Sequence, residues 1–69
     1  MRNSLERQLA KFLRHRRGEE TYAVFARRPG LPQSTLFRLE QCQQSLTLGR
    51  LEQIMKRLGV SLRDIFPGR

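Results

Sequence analysis

Apolar residues recur at helical spacing along most of the chain, and this pattern limits the possible folds more than any other feature. The first four occupy positions i, i+4, i+7 and i+8 of one helix face: Leu5, Leu9, Phe12 and Leu13. Strand signals are almost absent, because there are no alternating β-branched runs and no Asn-Gly or Asp-Gly turns. A chain of 69 residues makes one small domain, which buries only about 60% of its unfolded surface. The pattern therefore predicts a single all-α domain over residues 1–69.

Cap and breaker residues divide this pattern into five short helices. Thr21, Thr47 and Ser61 are predicted N-caps of the second, fourth and fifth helices. Pro32 suits the first turn of the third helix, where its missing N–H costs nothing. The pair Pro29-Gly30 separates the second helix from the third, since proline cannot continue a helix and glycine permits a left-handed turn.

The apolar residues of the last two helices are expected to close the core. Those of the fourth helix form a predicted inner stripe: Leu48, Leu51, Ile54, Met55 and Leu58. Those of the fifth helix are expected to pack beside it: Leu62, Ile65 and Phe66. Gly59 is the predicted end of the fourth helix, and Asp64 completes a capping box with Ser61.

The chain is strongly basic. It carries 14 Lys and Arg against 6 Asp and Glu, a net charge of +8. This excess is too large for an ordinary cytosolic enzyme domain and implies a polyanionic partner, with nucleic acid first and an acidic membrane surface second. Twelve of the cations are arginine, which suits bidentate recognition of phosphate and guanine. Charge alone does not separate sequence-specific from non-specific binding.

Cysteine usage and hydropathy indicate the cellular setting. Cys42 is the one cysteine, which excludes an intrachain disulfide and a thiolate metal cluster and fits a reducing compartment. The first twenty residues lack the uninterrupted apolar segment of a secretory signal. No stretch approaches the ~18–20 apolar residues that a membrane span needs. We therefore expect a cytoplasmic protein with no membrane contact.

Enzyme chemistry finds little support in the residues. His15 is the one histidine, and no second ligand or catalytic partner lies near it in sequence. Paired carboxylates, a nucleophile elbow and a phosphate-binding glycine loop are all missing from the sequence. We predict no catalytic activity, no metal site and no cofactor.

The stretch LPQSTLFRLE, residues 31–40, has an unusual outer face. As a helix it places Leu36 and Leu39 together on one side. The opposite side then carries two long polar residues, a hydroxyl and a phenyl ring: Gln33, Ser34, Phe37 and Arg38. Such a mixture on the outside of a helix, in so basic a chain, requires an explanation.

Two short helices joined by a glycine-containing turn are typical of a helix-turn-helix. Here FARRPGLPQSTLFRLE followed by LTLGRLEQIMKRLGVSLRDIF resembles the Cro/phage-repressor (XRE-type) family of regulators. The family's Leu-Ala, turn glycine, Ser-Thr-Ile and Arg/Gln-Ile-Glu have these counterparts: Phe25-Ala26, Gly30, Ser34-Thr35-Leu36 and Arg38-Leu39-Glu40. The family's C-terminal pattern matches residues 58–62 and 65–66. The resemblance covers roughly residues 9–67. It implies a lambda-repressor-like fold of five helices with the helix-turn-helix at about 21–41.

The resemblance also explains the outer face of the third helix, because in the family that face lies in the DNA major groove. It implies that Gln33 pairs with adenine and Arg38 with guanine, each good pair contributing ~1–3 kcal/mol of discrimination. Phe37 would contact a thymine methyl group, and Ser34 a base or a phosphate. The residues themselves leave alternatives open: core packing for Phe37, and a phosphate contact or a solvated charge for Arg38.

Phosphate contacts would position this helix without reading sequence. The resemblance assigns them to Thr21 and Tyr22 at the start of the second helix and to the connector after the third: Gln43, Gln44 and Ser45. Tyr22 stands where the family usually has glutamine, so it either donates its hydroxyl to a phosphate or packs.

Four further residues matter for the comparison with the family. Arg14 and Glu40 match a structural ion pair that would fix the orientation of the recognition helix. Glu20 stands where an apolar residue is expected. Cys42 stands where the family commonly has glycine, which takes positive φ easily, so we expect the loop after the third helix to adopt another shape.

The resemblance thus implies a sequence-specific double-stranded DNA-binding transcription regulator, a repressor, that reads the major groove with helix 33–41. We expect a homodimer on half-sites one helical turn apart, ~34 Å, with its dimer surface on the fifth helix around residues 62–66 or on the C-terminal turn. One rival is a protein-interaction module on the same fold, such as an antitoxin that binds a toxin, or a coactivator. Another is a non-specific nucleic-acid binder.

Overall fold

The computed structural model describes residues 4–67, and this part of the chain contains five helices. In chain order they are α1 (Ser4–Arg17), α2 (Tyr22–Phe25), α3 (Gln33–Glu40), α4 (Leu48–Leu58) and α5 (Leu62–Ile65). No strand occurs within residues 4–67, so the predicted all-α fold is confirmed. The third helix ends at Glu40, one residue before the predicted end. None of these helices combines the length and the apolar character needed to cross a membrane.

The predicted caps determine where three of the helices begin. Thr21 Oγ1 accepts a hydrogen bond from the Val24 N–H at 3.2 Å, and Thr47 Oγ1 accepts one from the Arg50 N–H at 3.1 Å. At the start of α5, the Ser61 N–H donates to Asp64 Oδ2 at 2.8 Å. Each bond satisfies an amide group that has no partner inside its helix.

All five helices contribute buried residues to the core, and α2 packs against α3. Its buried apolar residues are Leu9, Ala10, Leu13, Phe25, Ala26, Leu31, Leu36, Leu39, Ile54 and Ile65. Among the helices that pack directly, α1 and α5 are furthest apart in the sequence. The N- and C-terminal helices therefore close on one another, and the helix-turn-helix is held on this frame.

The predicted inner stripes of α4 and α5 are wrong at their first residues. Leu48 is 84% exposed and Leu62 is 55% exposed, whereas Ile54 and Ile65 are buried. Along a helix that rises 1.5 Å per residue, Leu48 stands about 9 Å from Ile54. The core lies under the middle of α4, so the first turn of this helix extends past it.

The turn between α2 and α3 depends on Gly30. This residue has φ +75°, and a Cβ placed there would lie 2.6 Å from Arg57 Nε. The Gly30 and Leu31 N–H groups both donate to the Ala26 carbonyl, at 3.1 and 3.0 Å. A side chain at position 30 would strain this turn because of the positive φ and would displace the end of the Arg57 side chain.

Candidate nucleic-acid interface

The outer face of α3 carries the four predicted base-reading side chains, all exposed: Gln33, Ser34, Phe37 and Arg38. Its inner face is anchored by Leu36 and Leu39, which are 0% and 2% exposed. Because residues three apart share a helix face, these two leucines determine the rotation of α3 about its axis. Phe37 remains 44% exposed, which rules out core packing for this ring.

Tyr22 and Gln43 join the four α3 residues in lining one open groove. The Tyr22 ring meets Phe37 edge to face, with ring centroids 5.4 Å apart and ring planes at 75°. Pairs of this geometry contribute ~0.5–1.5 kcal/mol beyond their area burial. Tyr22 therefore packs on Phe37 and holds that half-exposed ring in place while also lining the groove.

A buried ion pair ties the end of α1 to the end of α3. Arg17 Nε donates to Glu40 Oε2 at 2.9 Å, and Arg17 Nη2 donates to Glu40 Oε1 at 3.1 Å. Glu40 is only 1% exposed, and the Arg17 guanidinium satisfies both of its carboxylate oxygens. The hydrogen bonds to Glu40 raise the pKa of Arg17. The Arg17 guanidinium therefore stays charged throughout the physiological pH range.

The same guanidinium connects this pair to the groove. Arg17 Nη1 donates to the Glu20 carbonyl at 2.9 Å. Its Cζ lies 4.1 Å from the centroid of the Tyr22 ring, a cation–π contact, and its Nη2 donates weakly to the Tyr22 hydroxyl at 3.4 Å. Contacts thus run from buried Glu40 through Arg17 and Tyr22 to Phe37.

The prediction that Glu40 pairs with Arg14 is wrong. Arg14 Nη2 donates to the backbone carbonyl of Glu40 at 3.1 Å, whereas the carboxylate pairs with Arg17. The two arginines are three residues apart and share one face of α1. Arg17 is favoured because it also reaches the loop carbonyl of Glu20 and the ring of Tyr22. Its position one turn after Arg14 is the signal that sequence reasoning missed.

The loop after α3 begins with Cys42 in the left-handed conformation, at φ +58°. The Cys42 N–H donates to the Leu39 carbonyl at 3.2 Å and the Gln43 N–H donates to the Arg38 carbonyl at 2.8 Å. These two bonds form a Schellman motif, in which glycine is the usual left-handed residue. The expectation that cysteine would give this turn another shape is therefore wrong.

The connector residues predicted to contact phosphate point in two directions. Gln43 lines the groove beside α3, and Gln44 Oε1 accepts a hydrogen bond from Arg38 Nη1 at 3.3 Å. Ser45 instead donates its hydroxyl to the carboxylate of Glu6 on α1. The structure thus brings Gln43 and Gln44 to the α3 surface and turns Ser45 away from it, next to a negative charge.

Two polar residues directly precede α2. Thr21 is exposed, and its cap bond to Val24 uses an oxygen lone pair, so the hydroxyl hydrogen can still be donated to a phosphate. Glu20 directly precedes Thr21 in the chain. Its Oε2 accepts a hydrogen bond from Arg28 at 2.8 Å, which satisfies one of its two oxygens.

The family model of the Cro/C1-type HTH DNA-binding domain matches residues 8–67. The chain belongs to this family. The match includes most of α1 and all of α2 to α5, so the predicted resemblance is confirmed and the chain is a DNA-binding domain. Searches of curated proteins and of solved structures found no match.

Metal ligands are not grouped in this Cro/C1-type domain as far as the structure describes it. Within residues 4–67, no set of three or more His, Cys, Asp and Glu side chains is close enough to hold an ion. The polar groups that line the α3 groove are two amides, two hydroxyls and one guanidinium, the kinds of group that bind base edges and phosphates.

Proposed function

We propose that this Cro/C1-type domain is a sequence-specific double-stranded DNA-binding transcription regulator, and a repressor, that reads the major groove with α3. One observation carries the proposal. The outer face of α3 presents an amide, a hydroxyl, a half-exposed ring and a guanidinium, while Leu36 and Leu39 hold the helix from behind. Eight residues of helix span about 12 Å, a length that a major groove accommodates.

Each exposed side chain of α3 has a role in the proposal. Gln33 pairs with adenine and Arg38 with guanine, each bond pair contributing ~1–3 kcal/mol of discrimination. Arg38 is already oriented by Gln44, so less side-chain freedom is lost on binding. Phe37, held by Tyr22, supplies the apolar surface for a thymine methyl group, and Ser34 reaches a base or a phosphate.

Phosphate contacts around the groove fix the register of α3. We assign them to Tyr22 and Gln43, which line the groove, to Gln44, which bonds to Arg38, and to Thr21, the N-cap residue next to Tyr22. Ser45 is left out because it bonds to the Glu6 carboxylate, which repels phosphate. Glu40 does not oppose DNA, since its charge is buried and neutralised by Arg17.

The proposed regulator acts as a homodimer and represses by occupying its operator. A single α3 reads about half of an operator, so two copies related by a two-fold axis read two half-sites ~34 Å apart. Occupancy of a promoter excludes other proteins from it and needs no further contact, which makes repression the simplest outcome. A cytoplasmic location, where such a protein meets its DNA, stays a prediction.

The rival function, a protein-interaction module, is favoured by one observation. Three leucines are more than half exposed: Leu5, Leu48 and Leu62. An apolar surface of this kind binds protein rather than DNA. A toxin or another protein partner would therefore use a different surface from α3, and the two functions can be tested separately.

Selection from a random pool of DNA duplexes tests the proposal. The wild type, at near-physiological salt, is expected to enrich a two-fold symmetric motif and to prefer it over scrambled duplex by ~10³-fold or more. Gln33→Ala/Arg38→Ala should lose this preference. The matched control, Arg50→Ala/Gln53→Ala, removes the same two side-chain types from exposed positions on α4 and should retain it.

The opposite result is equally clear. If wild type enriches no motif, and its affinity and that of the α3 variant fall alike with log salt, the protein binds DNA without reading sequence. The assignment of base-reading roles to α3 would then be rejected.

A further inference from the structure

Two aromatic rings supply the apolar part of the α3 groove. Of the six residues that line it, Tyr22 and Phe37 are aromatic, and the other four end in amide, hydroxyl or guanidinium groups. The two rings meet edge to face with their centroids 5.4 Å apart, and Phe37 is 44% exposed. A groove lined otherwise by polar groups therefore has one place that suits an apolar group of its ligand.

The Phe37 ring has no hydrogen-bond donor or acceptor, which limits what it can recognise. Base edges in the major groove present nitrogen and oxygen atoms together with one apolar substituent, the methyl group at C5 of thymine. A nitrogen or oxygen atom covered by the ring would lose its water without gaining a partner. The C5 methyl group has no such partner to lose, and its burial is favourable.

We propose that the Phe37 ring recognises the C5 methyl group of a pyrimidine in double-stranded DNA, and that it accepts 5-methylcytosine as well as thymine. The inference rests on the proposed function, which places α3 in the major groove. Both bases carry the methyl group at the same ring position. They differ at C4, where thymine has a carbonyl acceptor and cytosine an amino donor. The ring bonds to neither group, so it does not distinguish the two bases.

This recognition makes binding depend on the chemical state of the DNA. Where a site has cytosine at the position that faces Phe37, the unmethylated base offers the ring no apolar group. Methylation of that cytosine at C5 supplies the contact without changing the sequence or the base pairing. The same site should therefore bind the protein more tightly once it is methylated.

Tyr22 makes this contact effective because it holds the ring in place. Contact with one methyl group is small, so it raises affinity only if little side-chain freedom is lost in making it. Phe37 is held by Tyr22, and Tyr22 is held by the Arg17 guanidinium, whose Cζ lies 4.1 Å from the ring centroid. Arg17 is fixed in turn by the buried carboxylate of Glu40. Tyr22 is thus a positioning residue for Phe37.

Changes of single bases test this inference without altering the protein. At each pyrimidine position of the motif obtained by selection, four duplexes are compared, which carry thymine, uracil, cytosine or 5-methylcytosine with the matching partner base. Uracil keeps every hydrogen-bonding group of thymine and lacks only the methyl group. At one position of each half-site, wild type should bind thymine roughly three- to fivefold more tightly than uracil, as burial of one methyl group predicts. At that position 5-methylcytosine should exceed cytosine by the same factor.

Substitutions in the protein identify the ring that makes the contact. Phe37→Ala should abolish both methyl preferences, and Tyr22→Ala should weaken both. Tyr22→Phe keeps the ring and should retain them. Val24→Ala is the matched control, because Val24 is an apolar residue on α2 that is 49% exposed and does not line the α3 groove. This variant should retain both preferences in full.

Two results would overturn the inference while the proposed function stands. One is a wild type that selects its motif but gains from the methyl group of only one of the two bases, or of neither. The other is a Phe37→Ala variant that keeps both preferences. Unchanged preferences in Tyr22→Ala would overturn the positioning role of Tyr22. A wild type that enriches no motif and binds all four pyrimidines alike would reject the proposed function together with the inference.

Discussion

The α3 surface and a second, apolar groove beside α4 both expose apolar side chains, but their surroundings differ. The apolar groove is lined mainly by Leu5, Leu9, Leu48, Leu51, Leu62 and Phe66. Phe37 is 44% exposed, and its ring is fixed by Tyr22, which in turn lies under Arg17 and the buried Glu40. Leu48 is 84% exposed at the first residue of α4, among other leucines. The α3 surface is ordered by hydrogen bonds and ring contacts, whereas the groove is shaped by aliphatic side chains.

This difference shows that an exposed apolar side chain does not by itself identify the kind of molecule that a surface binds. Around Phe37 lie long polar side chains that match base edges and phosphates. Around Leu48 lie leucines and a phenylalanine, which match an apolar protein surface. Ordering before binding also matters, because each side chain already held in place loses less entropy when the partner arrives.

The largest expected effect comes from removing the ion pair that supports the α3 surface. Arg17→Met leaves the carboxylate of Glu40 buried and unpaired, at a cost of about 3–5 kcal/mol. In a domain of this size each kcal/mol of lost stability lowers Tm by about 4–8 °C. The Tm of Arg17→Met should therefore fall by more than about 12 °C. Neither Arg17 nor Glu40 lines the apolar groove beside α4, so Arg17→Met should leave that groove unchanged.

Arg16→Met is the control for this change. Arg16 directly precedes Arg17 and is exposed. Its Cζ lies 5.6 Å from the centroid of the Phe12 ring, a cation–π contact. Loss of this contact should cost no more than about 1 kcal/mol of stability. Equal shifts in Tm for the two variants would mean that the contacts of Arg17 with Glu40 do not hold α3. The raised pKa of Arg17 means that its contribution is present at neutral pH and is lost only in strong alkali.

A direct comparison of the two exposed surfaces gives an intermediate effect. Phe37→Ala removes the edge-to-face contact with Tyr22 and should cost about 0.5–1.5 kcal/mol of monomer stability. Leu48→Ala removes a side chain that is 84% exposed and should change stability by less than about 0.5 kcal/mol. Urea unfolding of both variants checks this. A larger loss for Leu48→Ala would show that the groove is part of the core.

The smallest expected effect concerns the turn that joins the two surfaces. Cys42 has φ +58°, a conformation that costs an L-residue about 1–2 kcal/mol. Cys42→Gly removes that strain but adds freedom to the unfolded chain, so a net gain of roughly 0.5–1 kcal/mol is expected. Cys42→Ala keeps the Cβ and should give no gain in Tm. A gain from alanine as large as that from glycine would assign the effect to the thiol instead of the backbone.

Local features were predictable from the sequence because their partners lie three or four residues away. Thr21 and Thr47 bind amides three residues on, and Ser61 pairs with Asp64. The exposed face of α3 followed from helical spacing around Leu36 and Leu39. The family motifs extended this to the whole fold, since their order and spacing over residues 8–67 belong to one architecture.

Contacts between distant segments were decided by the tertiary structure alone. Glu40 selects Arg17, 23 residues away, over Arg14 because only the folded loop brings the Glu20 carbonyl and Tyr22 to the same guanidinium. Leu48 fits the helical stripe of α4 but extends past the core. The sequence by itself determined which residues begin each helix and which face of α3 is exposed, because those depend on neighbours along the chain. Which arginine neutralises Glu40 and which leucines remain exposed depends on how the helices meet, and helical periodicity does not contain that information.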